Sequence, residues 1–160
     1  MANAYTFRSG QQKLVRFPVD SATVIAKGDM LFWDTDDAKP AGDFTWDSDL
    51  AATQAGFANV FIGIANAPSA AGETDDIDVD VSPDSVYEMT CASAAYKPGA
   101  PVGPDKASGN TLLSQALEAA VAASSVARTT KAAPSSSTKI HVSFASAYSV
   151  SSGNVNANVG

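Results

Sequence analysis

Three aspartates at every second position, Asp76, Asp78 and Asp80, match the opening ligand spacing of a calcium-binding EF-hand loop. The pattern stops there, because Val81 stands where that loop needs glycine and Tyr87 where it needs a bidentate glutamate. On a strand, alternate carboxylates point the same way and lie too far apart to close around one ion, so the run predicts a solvated acidic face. Asp34, Asp36 and Asp37 lack the same completing residues and read as a turn. His141 and Cys91 are single representatives of their types, too few for a site built on imidazole and thiolate. His141 alternates with Ile140, Val142 and Phe144 and is expected to face solvent. Cys91 shares a face with Tyr87 and Met89, which predicts a buried structural thiol. No Gly-x-Ser-x-Gly elbow occurs, and Gly103-Pro-Asp-Lys-Ala-Ser-Gly109 lacks the Gly-Lys-Ser/Thr ending of a phosphate loop. Two carboxylates in unlike surroundings could share acid–base work, yet nothing in the sequence selects such a pair. The expectation is a protein without enzymatic activity, metal or cofactor.

The segments that would position these residues are mostly short and extended. Lys13 to Val19 alternates in part, with Pro18 marking an edge or a strand end. Met30-Leu-Phe-Trp33 is an apolar run suited to a strand buried on both faces, with Trp33 in the core. Residues 34–47 read as a loop around Pro40 and Gly42. Asp47 or Ser48 is the expected N-cap of a short helix over 49–56. Phe57 to Ala65 then reads as an extended core segment, with Gly63 predicting a bulge or a close backbone approach. Ile77, Val79 and Val81 alternate with the three aspartates, and Val86 to Cys91 alternates again. Leu112 to Ala123 is helical by propensity, Ser124 to Thr130 reads as a strand, and Pro134 to Ser137 as a loop leading to a strand over 139–144. Short strands separated by Gly/Pro turns predict an all-β barrel or sandwich with at most one or two short helices.

The 160 residues suit a single domain, and 45% are apolar but only 17% charged, against about 25% in ordinary domains. Small neutral side chains must therefore cover much of the surface. No apolar run reaches the roughly 18 residues of a membrane helix, and MANAYTFRSGQQKLVRF lacks the apolar stretch of a signal peptide. The net charge of −7 disfavours phosphate polymers, so neither nucleic acid nor membrane is an expected partner. Charge is segregated: residues 29–88 carry fourteen acids against Lys39, whereas each flank is net basic. Either an acidic face docks on a complementary partner or turns have simply gathered aspartate. The ends, 1–12 and 146–160, are polar and aperiodic and are expected to be an extended arm and a flexible tail around a domain at 13–145.

The order of segments resembles the decoration, or cement, proteins on capsids of tailed double-stranded DNA bacteriophages. The segments concerned are Ala22-Thr-Val-Ile-Ala-Lys-Gly-Asp-Met-Leu-Phe-Trp33, Phe57-Ala-Asn-Val-Phe-Ile-Gly-Ile-Ala65, Val86-Tyr-Glu-Met-Thr-Cys91, Lys97-Pro-Gly-Ala-Pro-Val-Gly-Pro-Asp105, Val126-Ala-Arg128 and Lys139-Ile-His-Val-Ser-Phe144. The likeness spans about residues 13–145 and departs at Ser124-Ser-Val-Ala-Arg128, which lacks an alanine-aliphatic-glycine run. It implies a small β-barrel of the β-tulip type, a homotrimer at three-fold positions outside the head, and the major capsid protein as partner. It places the mature protein on the virion after synthesis in the host cytoplasm. Capsid contact through a terminal arm would fall near Tyr5, Phe7 and Arg8, and Arg16 adds a cation beside it. The competing expectation is a carbohydrate- or host-surface-binding module with Trp46 as its aromatic platform.

Overall fold

A computed structural model describes residues 4–149. Within them eleven strands form two sheets, with one short helix between. The first strands, β1 (Tyr5–Ser9) and β2 (Leu14–Phe17), go to different sheets. A hairpin of β3 (Met30–Asp34) and β4 (Asp37–Pro40) follows, then a 3-10 turn at Ala41–Asp43, helix α1 (Leu50–Val60) and β5 (Phe61–Ala65). Next come β6 (Ile77–Asp80), β7 (Val86–Tyr96), β8 (Pro101–Lys106) and β9 (Leu112–Ala119). A 3-10 turn at Ala122–Ser124 precedes β10 (Ala127–Thr129) and β11 (Ala133–Phe144).

One sheet runs β1-β7-β11-β10-β8-β9, and a parallel pairing of β7 with β9 closes its last five strands into a barrel. β1 hangs outside that ring, antiparallel to β7. The other sheet runs β2-β6-β5-β3-β4. The central strands β3 and β5 divide two cores, which explains their unbroken apolar sequences. Met30, Phe32, Phe61 and Ile64 face the barrel core with Phe57, Leu117, Ile140 and Val142, while Leu31 and Ile62 face a second core with Phe17, Ile25 and Val79. Gly63 is a close-approach position: a Cβ there would lie 2.1 Å from the Asp80 carbonyl oxygen of β6.

Several expectations change on folding. The helix is capped by Asp49, whose carboxylate accepts from Ala52 N at 2.8 Å, and it runs through Phe57 to Val60, which the sequence suggested as extended. Thr53, Gln54, Phe57 and Ala58 form one buried helical face, so packing on the barrel extends the helix. Residues 34–47 contain β4, and Leu112–Ala119 is a strand despite its helical composition, because barrel closure needs a partner for both β8 and β7. Residues 134–137 lie inside β11, whose register shifts there accommodate Ser136 at φ 69°. The expected arm is tied down in its described part: Tyr5, Thr6 and Phe7 pair with Met89, Glu88 and Tyr87. Of the expected tail, residues 150–160 lie outside the described residues. Before them, Ser146 is buried, Ala147 N donates to Phe61 O at 2.7 Å, and Tyr148 packs edge-on against Phe17 and Trp33. No helix among the described residues is long and apolar enough to cross a membrane.

Candidate functional site

The acidic face predicted for the Asp76–Asp80 strand breaks at its last residue. Asp76 is exposed and Asp78 half-buried, but Asp80 is 3% exposed. Its Oδ1 accepts from the backbone of Lys13 and Ser82 at 3.1 and 3.0 Å, and its Oδ2 takes the Tyr87 hydroxyl at 2.6 Å. A buried carboxylate survives only when so satisfied, and a buried tyrosine needs a partner for its hydroxyl. Alternation had placed Tyr87 on the inner face of its strand. Burial, reinforced by the hydrogen bond to Asp80, holds its phenol well above the usual range.

The Tyr87 oxygen also accepts from Gln12 Nε2 at 3.1 Å, and Gln12 Nε2 lies 3.5 Å from Asn66 Oδ1. This chain floors an open cavity of about 690 Å³. Tyr5 and Phe7 wall it from β1, and Lys27 stands at its rim. The Tyr5 and Phe7 rings pack on Tyr87 with centroids 6.1 and 5.5 Å apart. Gln12, Asn66 and Lys27 carried no pattern in the sequence. The only available signal was that Tyr87, inward on its strand, required a polar neighbour.

Across the outer face of β1, β7 and β11, Arg8 bonds Glu88 at 3.0 Å and His141 Nε2 lies 3.2 Å from the other Glu88 oxygen. His141 thus faces outward as expected, but it is only 21% exposed and engaged with Glu88. Burial opposes ionisation of Glu88, yet the hydrogen bonds from Arg8 and His141 outweigh it and keep its carboxyl below the ordinary range.

A carboxylate pair that the sequence could not select sits on β8 and β9. Glu118 is raised above the ordinary glutamate range by burial and then by the neighbouring charge of Asp105. Cys91 is buried as expected, its Sγ 3.5 Å from the Ser137 carbonyl, and burial raises its thiol. Among the described residues, no group of three or more His, Cys, Asp or Glu is arranged to hold a metal ion.

The four expected contact residues do not share one environment. Tyr5 is half-buried, and its ring lies over Gly28, whose added Cβ would sit 2.1 Å from Tyr5 Cδ1. Phe7 remains 39% exposed, and the Arg8 side chain 46%. Arg16 is exposed on β2, where a guanidinium nitrogen donates to the Asp76 carbonyl at 2.6 Å. Trp46 is half-buried against the barrel core, with Lys106 Nζ 6.0 Å from its ring centroid, so it is not a bare platform. Trp33 is half-buried against the second core.

In comparisons with known proteins, no family model and no curated protein matches the chain.

Proposed function

We propose that this protein is a capsid decoration, or cement, protein of a tailed bacteriophage, binding the outside of the head and clamping neighbouring major capsid subunits. The reading rests on the resemblance of residues 13–145. One structural observation supports it: the run from Tyr5 to Phe17 supplies β1, which hangs outside the closed barrel, and β2, one of the two edge strands of the other sheet. Both leave apolar side chains in water, with Phe7 39%, Leu14 45% and Val15 36% exposed. An outer strand with unpaired backbone and apolar side chains is a template for a second chain. Arg16, beside Val15 and in no ion pair among the described residues, supplies a cation for a carboxylate-bearing partner, while Arg8 next to Phe7 is already paired with Glu88.

In this reading, homotrimers of the β-tulip type sit at three-fold positions on the virion. Each copy adds a modest interface across subunit seams, and avidity makes the shell resistant to internal pressure.

The test is co-sedimentation with mature phage heads, together with the heat resistance of heads with and without the protein. Binding and a raised bursting temperature are expected. Leu14→Ser, which adds no charge opposite its strand partner Asp80, is expected to change stability by less than about 1 kcal/mol because the side chain is already exposed, while weakening head binding by roughly tenfold. Failure of the unaltered protein to bind heads, or heads no more heat-resistant with it, overturns the reading.

A further inference from the structure

Apart from the β1 side chains that wall it, the cavity between β1, the Gln12 turn and Asn66 is unused by the decoration reading, and its chemistry is unlike that of a protein-docking edge. We propose that it is a saccharide-binding site, with hydroxyls held by Gln12 and Asn66 and an aromatic face supplied by Phe7 beside Tyr5. Its volume, about 690 Å³, falls in the range of small-molecule sites. Sugars present vicinal hydroxyls, each a donor and an acceptor, and a C–H face that packs on aromatic rings. A planar amide offers both hydrogen-bonding roles in one plane.

Here two such amides stand side by side. Gln12 spends its Nε2 on the Tyr87 hydroxyl and Asn66 Oδ1, at 3.1 and 3.5 Å. Its Oε1 and the Asn66 side-chain nitrogen make no hydrogen bond among the described residues, leaving one acceptor and one donor in the lining.

The floor is also held in place. Gln12 is fixed by Tyr87, Tyr87 by Asp80, and Asp80 by two backbone N–H groups, so each polar group is oriented by the next. Such support is what distinguishes a preorganised site from a chance hollow. Lys27 at the rim, with no ion-pair partner among the described residues, adds one cation, which favours a sugar bearing a carboxylate over its neutral counterpart.

The experiment is a ligand-observed NMR titration of the full chain with glucose, galactose, N-acetylglucosamine and glucuronic acid. At least one is expected to bind, and glucuronic acid more tightly than glucose. Gln12→Ala should weaken binding about tenfold, the loss of one well-placed hydrogen-bond group. Lys27→Ala should remove the preference for glucuronic acid and leave neutral sugars unchanged. Gln12→Ala should keep the far-ultraviolet circular dichroism of the parent and a single cooperative thermal transition well above the titration temperature, which separates loss of the site from loss of the fold. Trp46→Ala should leave binding intact. Absence of binding by all four sugars, binding indifferent to Gln12→Ala, or binding lost in a Trp46→Ala variant that keeps the parent's circular dichroism overturns the proposal. Head co-sedimentation by Gln12→Ala is expected to match the parent, so this site and the decoration reading fail separately.

Discussion

Gly28→Ala is the sharpest probe of how the N-terminal strand is held. Gly28 lies in the turn closed by Asp29 N donating to Ala26 O at 3.1 Å, at φ +98°, a conformation open to glycine and costly for alanine. The backbone penalty is about 1–2 kcal/mol. The new Cβ would also fall 2.1, 2.2 and 2.7 Å from Tyr5 Cδ1, Cε1 and Cγ, closer than any real contact, so the ring must leave. A half-buried tyrosine ring covers roughly 100 Å², and at about 25 cal/mol per Å² its displacement costs about 2 kcal/mol more. The total is about 3–4 kcal/mol, a fall in Tm of roughly 6–16 °C for a domain of this size. Guanidinium unfolding of the single variants Gly28→Ala and Tyr5→Ala and of the double variant separates the two contributions. In the Tyr5→Ala background, Gly28→Ala should cost only the backbone part, giving a coupling of about 2 kcal/mol. Additivity to within about 0.5 kcal/mol would show that the ring does not depend on the missing Cβ, and would refute the reasoning.

Two further outcomes follow from the buried polar groups. Tyr87→Phe removes the donor to Asp80 Oδ2 and the acceptor of Gln12, leaving a buried carboxylate oxygen without that partner. The expected loss is about 1–3 kcal/mol by denaturant unfolding, and a loss below about 0.5 kcal/mol would show that the hydrogen bond contributes little. Glu118 binds its proton more tightly folded than unfolded, because burial and Asp105 raise its pKa above the ordinary value of 4.5. Its contribution is therefore fully present below the ordinary glutamate range and is lost as pH rises through the folded value. Glu118→Gln should flatten that part of the stability profile and raise Tm at neutral pH. An unchanged slope in thermal scans from pH 4 to pH 8 would contradict the assignment (the range is roughly that over which raised carboxyls titrate).

If β1 and β2 are the capsid-facing elements, the strand that walls the cavity also borders the shell. Phe7 then has two roles, since it is exposed on the outer strand and stacked on Tyr87 at 5.5 Å. Leu14, on an edge strand of the other sheet and outside the cavity lining, serves one role only, which is why it is the cleaner probe of head binding.

The period-two alternation of Val86 to Cys91 and of Lys139 to Phe144 was enough to identify their strands and inward faces, because a half-buried strand shows its burial in every second residue. The apolar run at Met30 indicated burial on both faces because it lacks that alternation, and the run ending at Ala65 indicated an extended core segment. Local sequence could not decide between helix and strand where composition and topology disagree. Leu112–Ala119 is drawn into a strand by barrel closure, and Phe57–Val60 into a helix by the face it shares with Thr53 and Gln54. Nor could it pair groups distant along the chain. Asp80 meets Tyr87 where the two sheets face each other, Gln12 meets Asn66 between two connecting segments, and Glu118 lies near Asp105 across the β8–β9 pair, and each meeting depends on the fold. Burial patterns belong to neighbours along the chain and are written in it, whereas desolvation and hydrogen-bond partnership depend on what the fold brings across from elsewhere.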